Sequence, residues 1–299
     1  MRSLAVLDAP SNLGLRPPGP GLVPGCYKLA GAVRDQGLLA RIGAEDAGYA
    51  TPPRYDRGDW KLGDGLFNAD AIAAYTARLA DRIGALLDAD RFPVVLGGDC
   101  SIVLGAALAL RRRGRYGLAF LDGHSDFRHP DNSPGVGAAA GEDLALATGH
   151  GQPLATDLDG LRPYVGIGDA VVLGIRDDDE YTAELESLGA DVHPLARLRA
   201  AGAAATAAAA LDRLERTDLD GFWVHMDADV LDAAVMPAVD SPNPGGLSYA
   251  ELGDLLGPLL ASDRCAGFEL TVFDPDLDPD GRLAAELTDA VAAALAPLR

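Results

Sequence analysis

The chain has 299 residues, 48% of them hydrophobic and 23% charged, with a formal net charge of −20. Such a composition suits a globular protein with a sizeable core. The acidic balance argues against nucleic acid and anionic membrane surfaces as partners, and no run approaches the ~20 apolar residues of a membrane span.

Residues 4–7 read as a first strand, since the apolar run is too short for a signal peptide. Further strands are predicted over 93–96, 117–121, 170–173, 221–226 and 265–270. They are continuous apolar runs, as expected of strands buried on both faces. Helices are predicted over 69–87, 101–112, 178–188, 194–214, 249–260 and 282–298, with Ser101 and Ser248 as candidate N-caps. The Gly- and Pro-rich stretches 10–24 and 240–246 read as loops. This alternation predicts a three-layer α/β/α fold around a mostly parallel sheet. No change of composition marks a linker, so 1–299 is read as one domain.

The three cysteines, Cys26, Cys100 and Cys265, lie far apart and form no C-x-x-C pair. A disulfide framework is therefore not expected, and a reducing, cytoplasmic setting fits. Cys26 and Cys265 read as small buried hydrophobes. Gly166-Ile-Gly168 precedes a strand instead of following one, which argues against a dinucleotide site.

In an open α/β sheet, ligands gather at the carboxyl ends of strands. The strand at 117–121 runs into Asp122-Gly-His124-Ser-Asp126, and the strand at 221–226 runs into Asp227-Ala-Asp229. The strand at 93–96 leads to Gly97-Gly-Asp99-Cys100-Ser101. In an extended segment, residues i, i+2 and i+4 point the same way, so Asp122, His124 and Asp126 are expected on one side. One such Asp is commonly a helix cap. Several converging acids without a cation would be costly to bury, and hard oxygen ligands with one imidazole suit Mn²⁺ better than Zn²⁺.

Gly97-Gly-Asp-Cys-Ser101, Asp122-Gly-His-Ser-Asp126, Asp227-Ala-Asp-Val-Leu-Asp232 and Gly245-Gly-Leu-Ser-Tyr249 occur in the order of the arginase/agmatinase (ureohydrolase) motifs. The N-terminal Ala9-Pro-Ser-Asn-Leu-Gly14 also resembles that family's opening. The resemblance implies an arginase-like fold and two manganese ions. By position, Asp122 and Asp227 would bridge them. Cys100 and Asp126 would complete one ion, and His124 and Asp229 the other. A bridging hydroxide would attack an amidine-type carbon, with Asp126 accepting its hydrogen bond and protonating the leaving nitrogen. The segment Asp177-Asp-Asp179 resembles the arginase-type stretch that holds a substrate α-ammonium, although acids also favour helix starts. A homo-oligomer, trimer or hexamer, is implied by resemblance alone.

Three positions depart from the family pattern. Cys100 replaces the first His ligand, and a thiol must lose a proton before it binds a metal. Ala140 takes the place of the His in N-x-H-G, which leaves Glu142 and its neighbour Asp143 as candidates near the substrate. Val272 takes the place of the Glu that contacts a guanidinium, with Glu269 offset by three residues. Cys100 with Asp177 and Asp179 is similar to the N-hydroxyarginine hydrolase branch. The expected activity is amidinohydrolysis of an arginine-like or N-hydroxyarginine-like compound. The alternatives are hydrolysis of a formimidoyl or amide C–N bond, and a member that has lost catalysis and serves as a binding subunit.

Overall fold

Residues 2–298 are described by a computed structural model. Eight strands form one sheet: β1 (Leu4–Asp8), β2 (Glu45–Tyr49), β3 (Phe92–Leu96), β4 (Tyr116–Leu121), β5 (Ala170–Leu173), β6 (Asp191–His193), β7 (Gly221–Asp227) and β8 (Cys265–Thr271). Their spatial order is β2-β1-β3-β8-β7-β4-β5-β6, and every pairing is parallel. The six strands expected from sequence are present. The two edge strands, β2 and β6, were not expected, because they are short and partly exposed and carry no apolar run.

Alternate residues of the central strands enter two separate cores. Val94, Leu96, Ala119, Leu121, Val224 and Met226 face one, against helices Leu29–Asp35, Ala203–Leu214, Tyr249–Ala261 and Arg282–Leu295. Val95, Leu118, Phe120 and Trp223 face the other, against helices Ala69–Asp88, Val103–Arg111, Asp143–Ala147 and Thr182–Leu188. The architecture is therefore the expected three-layer α/β/α, with the sheet fully parallel. Pro93 is tolerated inside β3 because the β3–β8 ladder begins one residue later, at Val94.

The helix expected over 194–214 is two helices, Leu195–Ala201 and Ala203–Leu214, divided at Gly202, whose φ is 88°. The helix expected from 178 starts at Thr182, and the acids before it form a turn. Among the described residues, no helix is long and apolar enough to cross a membrane.

Candidate metal centre

The neighbours β3, β8, β7 and β4 end side by side, and each delivers side chains to the space beyond its carboxyl end. After β4, fully buried Asp122 accepts from the His124 backbone N–H at 2.7 Å, a side-chain turn that bends the chain at once. Asp126 has a φ of 44°. The extended run expected from Asp122 to Asp126 is thus not formed, because the Asx turn and the left-handed Asp126 re-aim these side chains. After β7, Asp227 Oδ1 accepts from Asp229 N at 2.7 Å. Asp229 Oδ1 then accepts from Gly123 N at 3.0 Å, and Asp229 Oδ2 lies 2.9 Å from His124 Nδ1, so the two loops are stitched together.

After β3 the cap is Asp99, not the expected Ser101: Asp99 Oδ1 accepts from Ser101 N at 3.0 Å, and Oδ2 accepts from Ser11 Oγ at 2.7 Å. A Cβ on Gly98 would stand 1.7 Å from the Ser11 carbonyl oxygen, so only glycine fits there. Fully buried Cys100 then points between β7 and β8. Its thiol donates to Asp227 Oδ2 at 2.7 Å, and its Sγ lies 3.2 Å from Thr271 Oγ1.

Two sets of ligand atoms result, each with all its atoms within 4.8 Å of one another: Asp122, His124 and Asp229, and Cys100, Asp122 and Asp227. Asp126 belongs to neither set but lines the adjoining cavity with His124, Asp227 and Asp229. Burial raises the Asp122 and Asp227 carboxyls well above their usual range, and neighbouring carboxylates push them further. Burial likewise raises Asp126 to about 7, with His124 opposing. Burial would lower His124, but its bond to Asp229 and the surrounding acids outweigh that and raise it to about 9. Burial pulls Asp229 up, yet the His124 bond wins and its carboxyl is held low.

Asp122 Oδ2 is buried without any hydrogen-bond partner. An orphan oxygen amid mutually repelling carboxylates fits a divalent cation, and the Asp122–His124–Asp229 set is chemically suited to a hard one. The Cys100 set fits manganese less well. Its sulfur is a soft donor, and burial, then Asp227 and Asp143, push the thiol far above its usual range, which keeps it protonated.

A cleft of about 750 Å³ opens beside His124 and Asp126 and is also lined by Arg128, Asp177 and Asp179. Asp179 Oδ2 accepts from Ser125 N at 2.9 Å, which ties the acidic turn to the Asp122 loop. Asp177 Oδ1 accepts from Ala196 N at 2.8 Å.

A family model described as the Arginase family matches residues 24–296. The chain belongs to the arginase family. It is 29% identical over 289 residues to an arginase of Brevibacillus brevis, covering 95% of this chain and 94% of that one. It matches the structure of the arginase of Bacillus caldovelox with a TM-score of 0.88 at 26% identity, covering 99% of this chain and 98% of that one. Its fold is also that of a formimidoylglutamase from Bacillus subtilis, with a TM-score of 0.77 at 20% identity, covering 100% of this chain and 87% of that one.

The departures from the arginase-family motifs each have a place. Ala140 is buried and lines the cavity, with its N–H on the Gly14 carbonyl at 3.2 Å. The Glu142 carboxylate is committed to the Gly137 backbone N–H at 2.5 Å, and burial, opposed by that bond, raises it to about 7. Val272 lines the cavity in the left-handed region, with a φ of 71°, unusual for a β-branched residue. Glu269 cannot stand in for it, because it is fully buried on β8 with Oε1 2.8 Å from His225 Nδ1.

Three residues near the site, His225, Arg128 and Arg176, were not singled out from sequence, whereas Asp143 was a candidate near the substrate. His225 is legible in retrospect: strand alternation puts it on the same face of β7 as Asp227. Asp143 follows the Ala140 loop and is fully buried. Arg128 lies over Gly141, where an added Cβ would meet its Nη2 at 2.7 Å. Arg176, also buried, donates to the Asp229, Leu231 and Asn243 carbonyl oxygens at 2.9–3.1 Å and clamps the β7 loop to the 240–246 loop.

Proposed function

We propose that this arginase-family hydrolase cleaves the guanidino C–N bond of an arginine-like or N-hydroxyarginine-like amino acid at a manganese centre. The observation that carries the reading is one cleft shared by His124, Asp126, Asp177 and Asp179. Asp122, His124 and Asp229 would hold one ion, with Asp227 shared. By family position Cys100 and Asp126 would complete the other, which the protonated Cys100 thiol leaves weakly held. When bound, such ions supply a nucleophilic water at neutral pH and polarise the C=N group. Asp126 lines the same cleft and would accept a hydrogen bond from the attacking water and return the proton to the leaving nitrogen. Asp177 and Asp179 would receive the α-ammonium, and Arg128 in the same cleft would receive the α-carboxylate. Glu142 then serves behind the substrate, holding the Gly137 turn and, by charge, Arg128.

Val272 favours a second reading. With an apolar group where the family carries a guanidinium-binding Glu, a formimidoyl or amide C–N bond becomes a candidate. The deciding experiment assays protein prepared with manganese over arginine, N-hydroxyarginine and agmatine. The first reading expects urea or hydroxyurea from the amino acids in preference to agmatine, and silence across the panel sinks it. Ammonia or formamide release from formimidoyl or amide substrates supports the second. Homo-oligomeric assembly is proposed from the family resemblance, a cytoplasmic setting from the unpaired cysteines, and a single 1–299 domain from the unbroken composition. Sedimentation analysis tests the assembly.

A further inference from the structure

A polar row lies beneath the acidic cluster, inside the core layer on that side of the sheet. Phe120 on β4, His225 on β7 and Glu269 on β8 are register neighbours, one alternation below Asp227 and Thr271. The Phe120 and His225 rings stack at 4.7 Å with planes 10° apart, which fixes the imidazole plane. Glu269 Oε1 lies 2.8 Å from His225 Nδ1. A carboxylate there holds the proton on Nδ1 and leaves a lone pair on Nε2, as outer carboxylates do for metal-bound histidines. His225 Nε2 is buried and has no partner.

Asp143 reaches the same place from the short helix Asp143–Ala147. One of its oxygens accepts from Leu144 N at 2.9 Å, while Oδ2 is buried without a partner. Cys100 completes the group. One ligand atom from each of Cys100, Asp143 and His225 lies within 4.8 Å of the others, and all three residues are buried. The cluster thus joins a thiol to a carboxylate and an imidazole that each keep one buried polar atom without a partner.

We propose that Cys100, Asp143 and His225 bind a thiophilic divalent cation, zinc by chemical class, and that Cys100 serves this site instead of completing a manganese site with Asp122 and Asp227. One sulfur, one imidazole nitrogen and one carboxylate oxygen form a borderline-soft donor set that suits tetrahedral zinc. The Cys100–Asp122–Asp227 set offers the same sulfur only hard oxygens. Binding releases the Cys100 proton to solvent, and Thr271 Oγ1, 3.2 Å away, is placed to donate to the thiolate. The proposal keeps the metal-centre reading for Asp122, His124 and Asp229, revises it for Cys100, and is independent of which substrate is cleaved.

Cobalt is the probe, because a thiolate–cobalt bond gives an intense near-ultraviolet charge-transfer band. The full-length protein, stripped of metal and given one equivalent of Co²⁺, is expected to show the band and to keep it against a hundredfold excess of Mn²⁺. Asp143→Asn and His225→Gln are each expected to weaken zinc binding at least tenfold and to bleach the band. Full band strength in both variants assigns the thiolate to Asp122 and Asp227 and overturns the proposal, as does a wild type without the band. Melting of the stripped variants checks that they fold. X-ray absorption on wild type with one equivalent of zinc needs no variant. One sulfur and one imidazole on the same ion support the site, and sulfur without imidazole overturns it. Failure of the manganese reading looks different: no manganese uptake, with the cobalt band intact.

Discussion

Cys100 sits where two sets of ligand atoms overlap, and its chemistry decides how the centre fills. Burial keeps the thiol protonated, whereas an imidazole is a harder donor whose ordinary pKa lies about two units lower. Cys100→His is therefore expected to raise manganese content from about one to about two ions per chain, read by elemental analysis. An unchanged stoichiometry would remove Cys100 from the manganese site altogether. Val272 is the second decisive residue. It lines the cavity beside Asp227 and Asp229 in a backbone conformation that an unbranched side chain tolerates better than valine. Val272→Glu would offer a guanidinium one charged hydrogen bond, worth about 1.5–3 kcal/mol. The expected gain in kcat/KM for arginine is roughly tenfold or more. No gain would mean that the substrate does not present a guanidinium to this position.

At the scale of elements, the helix Tyr249–Ala261 is fastened by a capping box. Ser248 Oγ accepts from Glu251 N, and Glu251 Oε2 in turn accepts from Ser248 N at 2.8 Å. Arg199 Nε lies 2.8 Å from Glu251 Oε1 and ties this helix to Leu195–Ala201. Ser248→Ala is expected to lower unfolding free energy by about 1 kcal/mol in urea titrations. The Arg199 bond is the main cause holding the Glu251 carboxyl down at about 2, so its contribution is present above the usual 4.5 and fades as pH falls toward 2. The stability gap between wild type and Glu251→Gln should shrink between pH 7 and pH 3, and a gap that widens contradicts the assignment. Elements with this kind of local signature were legible in sequence. Ser248 was expected as a cap, and apolar runs located the six inner strands. Edge strands β2 and β6 were not, since a partly exposed strand needs no apolar run. At the site, Asp122, His124, Asp227 and Asp229 could be read from strand-end motifs. Arg128 and Arg176 could not, because long-range packing brings them in, and His225 was hidden inside a strand that looked wholly structural.

Across the whole molecule, the acidic cluster sets how stability responds to protons and metal. Asp126 holds its proton up to about 7 when folded, against about 3.9 for an unfolded aspartate. Between those values the folded chain binds more protons, so stability falls as pH rises. His124 adds to the same slope: raised to about 9 from 6.5, it contributes stability below 6.5 that is lost as pH climbs through 9. The depressed acid with a resolved value, Glu251 at about 2, has finished titrating below pH 5 and does not oppose this trend. The metal-stripped protein is therefore expected to melt at a lower temperature at pH 8 than at pH 5.5. Manganese reverses the sign, because ligands must be deprotonated to bind it. At about 100 times its Kd the metal adds about 2.7 kcal/mol, more at pH 8 than at pH 5.5. Calorimetric melts at both pH values, with and without Mn²⁺, read the four corners of this cycle. A stripped protein that melts higher at pH 8, or a manganese shift larger at pH 5.5, would mean that these carboxylates do not form the cation site.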